Sequence, residues 1–157
     1  ALRKLGRMDE ALDPLRKAVE ADPTNGAMRR DLANLLLTRG HAGEGVGHLK
    51  TLLGQTPGDP DLRITLAWIL STYPDEDARD GALAVRLMEE ARPEGPEQPE
   101  FLDVKAAAYA EAGRFDDAVK TARRGRELAR SRRGNLEQEI AARLKLYEAK
   151  KPYRQPR

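Results

Sequence analysis

Polar and apolar positions fall into one arrangement twice along the chain: a glycine, a base, a large apolar residue, two acids, a small residue and an apolar one. The copies are Gly6-Arg7-Met8-Asp9-Glu10-Ala11-Leu12 and Gly113-Arg114-Phe115-Asp116-Asp117-Ala118-Val119. This order predicts a tight turn between two antiparallel helices, then the first turn of the second, where acids complement the helix dipole. Laid out against it, the chain predicts helices over about 8–21, 27–38, 42–55, 60–72, 78 or 80 to 92, 99–112, 114–130 and 136–150, with the end of another over 1–5. Asp22-Pro23-Thr24-Asn25-Gly26 stops the first full helix, Pro60 suits a first helical turn, and Asn135 is placed to cap the last. Residues 73–77 interrupt the pattern, 92–99 read as a loop by composition, and 151–157, with two prolines, read as a frayed tail.

The pattern repeats at a fixed distance. Gly6 and Gly40 are 34 residues apart, as are Pro23 and Pro57, Ala11 and Gly45, Leu32 and Leu66, Ala84 and Ala118, and Ala91 and Gly125. Between Gly40 and Gly113 lie two such periods plus five residues, so one repeat carries a short insertion. A period of this length with helix–turn–helix content resembles the tetratricopeptide repeat family over almost the whole chain. The family's small residues are matched by Ala33, Ala67 and Ala106, by Ala11, Ala84 and Ala118, and by Ala18 and Ala91; its closing proline is matched by Pro23 and Pro57.

The resemblance implies an all-α, right-handed superhelical solenoid of antiparallel helix pairs with a C-terminal capping helix. A single array is expected over 1–150: a truncated repeat at 1–25, repeats at 26–59, 60–98 (with the insertion) and 99–133, and the cap at 134–150, before a flexible tail at 151–157. The chain thus reads as the C-terminal part of a longer repeat protein. Gly45 and Gly125 stand where the family has alanine, which is expected to loosen those helix contacts. With Gly43, Gly45 and Gly47 inside one helix, 42–55 is the expected weak link.

Composition narrows the function. Lys and Arg number 28 against 26 Asp and Glu, so no overall preference for polyanions follows. The charge is uneven: 58–100 holds eleven acids and four bases, 114–157 six acids and fourteen bases. Cysteine is absent, which removes disulfides and thiolate metal sites. No apolar run approaches ~20 residues, and no signal peptide is read at the start. The compartment stays open, with a cytoplasmic placement favoured.

Candidate chemistry is sparse. His41 and His48 lie seven apart without a third ligand, so no metal site is expected. The glycines of 43–47 lack the adjacent Gly-Lys-Ser/Thr of a phosphate loop and follow a helix, not a strand. The acid pairs Asp9-Glu10 and Asp116-Asp117 are helix starts before they are acid–base pairs. No serine sits in a nucleophile elbow. The chain is expected to be no enzyme and to need no cofactor. Arg123, Arg124, Arg126, Arg130, Arg132 and Arg133 form a basic cluster without interleaved aromatics, more a solvated helix face than a nucleic-acid site.

The family resemblance places function in a concave groove lined by the first helix of each repeat. By register the partner-binding residues are Arg30, Asn34 and Leu37, then Ile64, Trp68 and Ser71, then Asp103, Ala107 and Glu111. Arg30 and Asn34 match the first part of the carboxylate clamp of chaperone-binding members, but Thr65, Glu100 and Val104 stand where its other groups belong. Trp68, the sole tryptophan, reads either as packed on the 73–77 insertion or a neighbouring helix, or as an exposed anchor. A partner should set an apolar side chain near Trp68 and a base toward Glu100, Asp103 and Glu111. The expected function is a protein–protein interaction scaffold holding a partner segment in this groove. The alternative is the C-terminal assembly or targeting segment of a larger enzyme such as a glycosyltransferase-like protein. Nucleic-acid binding through the basic C-terminal third is the weaker third reading. Self-association through the N-terminal repeat face is a further option.

Overall fold

The computed structural model describes residues 11–91, 95–132 and 134–156. Among them are eight α-helices and no strand: α1 Leu12–Ala21, α2 Gly26–Thr38, α3 Ala42–Gln55, α4 Pro60–Thr72, α5 Gly81–Glu90, α6 Pro99–Glu111, α7 Phe115–Ala129 and α8 Leu136–Glu148. The expected helix end at 1–5, the Gly6 turn, the start near Met8, and Arg92, Pro93, Glu94, Arg133 and Arg157 lie outside the described residues.

The glycine turns are built alike. Gly40 has φ 80° and Gly113 φ 76°, the left-handed region that side chains disfavour. Around Gly40, its own N–H donates to Leu37 O (3.2 Å) and the His41 N–H to Leu36 O (2.9 Å). Around Gly113, the N–H donates to Ala110 O (3.1 Å) and the Arg114 N–H to Tyr109 O (2.8 Å). Both are Schellman closures that satisfy the last carbonyls of α2 and α6. Gly40 and Gly113 thus make the same turn.

Other ends follow their residues less evenly. The Asn25 carboxamide accepts the Met28 N–H (3.0 Å) and the Asp80 carboxylate the Leu83 N–H (2.9 Å), capping α2 and α5. Asn135 stands before α8 as expected, but its side chain makes no capping bond. The insertion folds as a short 3₁₀ turn, Glu76–Ala78, tied down by Arg79, whose Nη1 donates to Tyr73 O (3.2 Å) and Pro74 O (2.8 Å).

The chain divides into two compact units, Ala1–Asp59 and Pro60–Arg157. In the first, α2 packs on α1 and α3, around Leu12, Val19, Leu32 and Leu36. In the second, α4 packs on α5 and α6, α6 also on α5 and α7, and α7 on α8. Leu62, Leu66, Leu70, Met88, Ile140 and Tyr147 are fully buried there. Small residues let these helices approach: Ala84, Ala106, Ala118 and Ala122 have no exposed surface.

Gly45 and Gly125 correct the sequence reading. A Cβ on Gly45 would stand 2.9 Å from Leu37 Cγ and 3.0 Å from Ala33 O, and one on Gly125 3.1 Å from Leu102 Cβ. Here the missing methyl tightens the packing, because the neighbouring helix has moved into its place.

One half-buried pair in the first unit carries a pH dependence. Arg29 donates from Nη2 to Pro23 O (2.8 Å), and its Nη1 lies 3.4 Å from His48 Nδ1. Burial, then the nearby Arg29 charge, lowers the His48 pKa below its ordinary 6.5, against the pull of Glu44 4.0 Å away. The unfolded chain then binds the proton more tightly than the folded one. The contribution is complete above about pH 6.5 and is lost as pH falls through that value toward the lowered one. Thermal melts from pH 7.5 to 5 should show the first unit losing stability, and His48→Gln should flatten that slope.

Candidate functional site

In the second unit, α4, α6 and α8 bring together residues far apart in sequence. Asp103 of α6 and Arg143 of α8 meet in a two-pronged ion pair: Nε donates to Oδ1 (2.9 Å) and Nη2 to Oδ2 (2.7 Å). Both side chains are under 10% exposed. Burial pushes the Asp103 carboxyl above its ordinary range, against the pull of Arg143. Burial also works against the Arg143 charge, but Asp103 outweighs it and raises the guanidinium. The pair is thus held charged at a desolvation cost. Beside it the fully buried Tyr147 hydroxyl has no hydrogen-bond partner among the described residues, and burial pushes its phenol far upward.

The Arg143 guanidinium lies between two aromatic rings, 5.5 Å from the Trp68 centroid and 5.4 Å from that of Tyr153. The two rings stand 6.0 Å apart and tilted by 34°. Trp68 is half-buried by this arrangement. Its ring thus lies against Arg143 of the neighbouring α8 and against Tyr153.

Tyr153 belongs to the segment expected to fray. Instead, 152–155 lies half-buried on α4 and α6 without regular secondary structure. Its contacts close the end of α4. The Gln155 N–H donates to Thr72 O (2.8 Å), Gln155 Nε2 to Thr72 Oγ1 (2.6 Å), and Arg154 Nη1 to Ser71 O (3.3 Å). These carbonyls are among those a helix end leaves unpaired, and a cation suits the negative pole of the dipole. Arg154 also stands 2.6 Å from Glu111 Oε2, an ion pair outside hydrogen-bond geometry, while Arg79 Nε donates to Glu111 Oε1 (3.1 Å). One carboxylate, 12% exposed, thus serves two guanidiniums.

The residues expected to line a groove fare differently. In the first unit Arg30 is exposed and paired with Asp59 (3.3 Å), and Asn34 is exposed. Leu37 is buried, and it is the residue that a side chain on Gly45 would strike. In the second unit Ile64 is half-buried, while Ser71, Asp103 and Ala107 are buried. Ser71 Oγ bonds its own helix at Ala67 O (2.6 Å), and Asp103 is covered by Arg143. Trp68, Ser71 and Glu111 are the ones that meet at the tail segment. Arg143, Tyr153 and Arg154 were not among the expected residues. The signal that could have found them is the Tyr153-Arg154 pair, whose aromatic and base match what Trp68 and Glu111 ask of a partner.

The basic cluster is largely spoken for. Arg123 pairs with Glu148 (2.8 Å), Arg124 with Glu97 (3.0 Å) and Glu127 (3.2 Å), Arg126 with Glu137 (2.6 Å), and Arg132 with Glu100 (2.9 Å) and Gln98. His41 is exposed, and among the described residues no group of three or more His, Cys, Asp and Glu could hold a metal ion. Among them, too, no helix is long and apolar enough to cross a membrane.

A family model described as tetratricopeptide repeat matches residues 2–69. Over these residues, under half of its length, the chain is similar to tetratricopeptide repeats. No curated protein matches it. Tetratricopeptide repeats bind other proteins, so the match supports a general protein–protein interaction role. As a rule such repeats are scaffolds and not catalysts.

Proposed function

We propose that the second unit is a docking surface for an extended partner segment, built on α4 and α6 with α8 as its floor. The segment sets an aromatic or apolar side chain on Trp68, a base at Glu111, and a backbone N–H at Thr72 O. The observation that carries this reading is that residues 152–155 of the chain itself already lie there in that order. Main-chain bonds at a helix end are indifferent to sequence, so selection falls to Trp68 and Glu111. Aromatic anchors supply much of the energy at such surfaces, and a charged pair sets orientation and on-rate.

Arg30 and Asn34 of the first unit are exposed and stay candidates for an acidic group of a partner. Leu37 and Ala107 support helix packing and are set aside as contacts.

The test starts from proteins retained on the immobilised chain, followed by affinities of the purified partner. Trp68→Ala should weaken a partner that uses this surface about tenfold. Glu111→Gln should weaken it less, by an amount that shrinks as salt rises. A Trp68→Ala chain with a lower melting temperature and unchanged affinity would assign Trp68 to the core and remove the surface.

A further inference from the structure

We propose that residues 152–155 are an internal occupant of this surface, and that the partner is a segment of the same order: an aromatic residue, a base, then a polar residue. The inference rests on the docking surface described above and adds to it a competitor in cis.

The segment is held as a ligand is held. It contributes no helix or strand, and its flanks Lys151 and Pro156 are exposed. Its contacts are discrete: one ring on Trp68 and Arg143, one guanidinium at Glu111 and Ser71 O, and one backbone N–H with its side-chain amide at Thr72. Beneath it the Asp103–Arg143 pair is made by α6 and α8 alone, so the floor stays assembled when the segment leaves. Glu111 keeps Arg79 in either state, which leaves its second oxygen for an incoming base.

The path into the surface is set by one residue. Lys150 closes α8 with φ 55°, the only non-glycine among the described residues with positive φ. The Lys150 N–H donates to Tyr147 O (3.0 Å) and the Lys151 N–H to Leu146 O (2.9 Å). This is the same Schellman closure as at Gly40 and Gly113, so the end of α8 itself turns the chain toward α4, whether or not the segment is seated.

Tethering gives the segment an advantage over a free peptide. A short linker presents its ligand at an effective concentration on the order of millimolar, and a partner must overcome this. The intact chain should therefore bind poorly any peptide that an emptied surface would accept.

The probe is a fluorescein-labelled peptide with the sequence of residues 150–156, titrated by anisotropy against the chain and against Tyr153→Ala/Arg154→Ala. The double variant should bind it at least tenfold more tightly than the wild-type chain. Emission of Trp68, the sole tryptophan, should change on the same curve. Adding Glu111→Gln to the double variant should weaken the peptide again. Equal binding by variant and wild type, or none by either while circular dichroism shows both folded, would overturn the inference. Should the double variant fail to fold, Arg154→Glu alone gives the same comparison, since it repels Glu111 and leaves Tyr153 in place. A captured partner that loses affinity with Trp68→Ala, yet binds wild type and Tyr153→Ala/Arg154→Ala equally, would keep the docking surface and sink only the internal competitor.

Discussion

Replacing Asp103 with alanine should destabilise the second unit by about 3–5 kcal/mol, the usual cost of stripping one partner from a buried ion pair. The loss is large because Arg143 stays behind. Its guanidinium is enclosed by α6, Trp68 and Tyr153, and only Glu139, 3.4 Å from Nη2 and mostly exposed, could take up part of the charge. Removing both charges is the informative control. Asp103→Leu with Arg143→Met restores volume and leaves nothing ionised inside, so the double variant should lie closer to wild type than Asp103→Ala does. Denaturant titration followed at 222 nm measures both. A cost under 1 kcal/mol for Asp103→Ala would show that water or Glu139 reaches the guanidinium, and that the floor of the docking surface is softer than its geometry implies.

Most of the helix pattern was legible because one turn recurs. A glycine that must take positive φ, an apolar residue after the turn and small residues at a fixed distance are local demands, and the 34-residue spacing repeats them. That is why α2, α4 and α7 begin within a residue of where the pattern puts them. What the pattern could not carry is pairing between elements. Asp103 and Arg143 stand forty residues apart, on α6 and α8, and the 34-residue period does not link them. The same holds for Arg154, which reaches Ser71 eighty-three residues upstream. Its setting between two prolines argues against a helix, and composition alone cannot distinguish a chain that frays from one that docks in an extended form.

The groove register grouped Trp68, Ser71 and Glu111, which meet at the tail segment, but a register has no term for what covers a face. Leu37 fell to the same blindness in the first unit, where its cover is α3. Glycine was misjudged for a related reason. Propensity says only that glycine weakens a helix. Whether it also admits a neighbour depends on a surface that sequence does not print.

Two glycines two residues apart in α3 should therefore answer oppositely to the same substitution. A Cβ on Gly47 meets nothing within 4 Å. Gly47→Ala should gain up to about 1 kcal/mol, from helix propensity and a less flexible unfolded chain. At Gly45 the same methyl would meet Leu37 Cγ at 2.9 Å, Ala33 O at 3.0 Å and Leu37 N at 3.2 Å. A leucine side chain could rotate aside, but the last two are backbone atoms of α2, and only a shift of the whole helix relieves them. That shift would disturb Leu32 and Leu36, which form the core with α1. The expected cost is about 3 kcal/mol, the upper part of the overpacking range, after the propensity gain is subtracted. Thermal or denaturant unfolding of the two single variants measures the contrast directly. Equal stabilisation by both would mean that α2 and α3 slide apart freely, and that the close approach at Gly45 does not hold the first unit together.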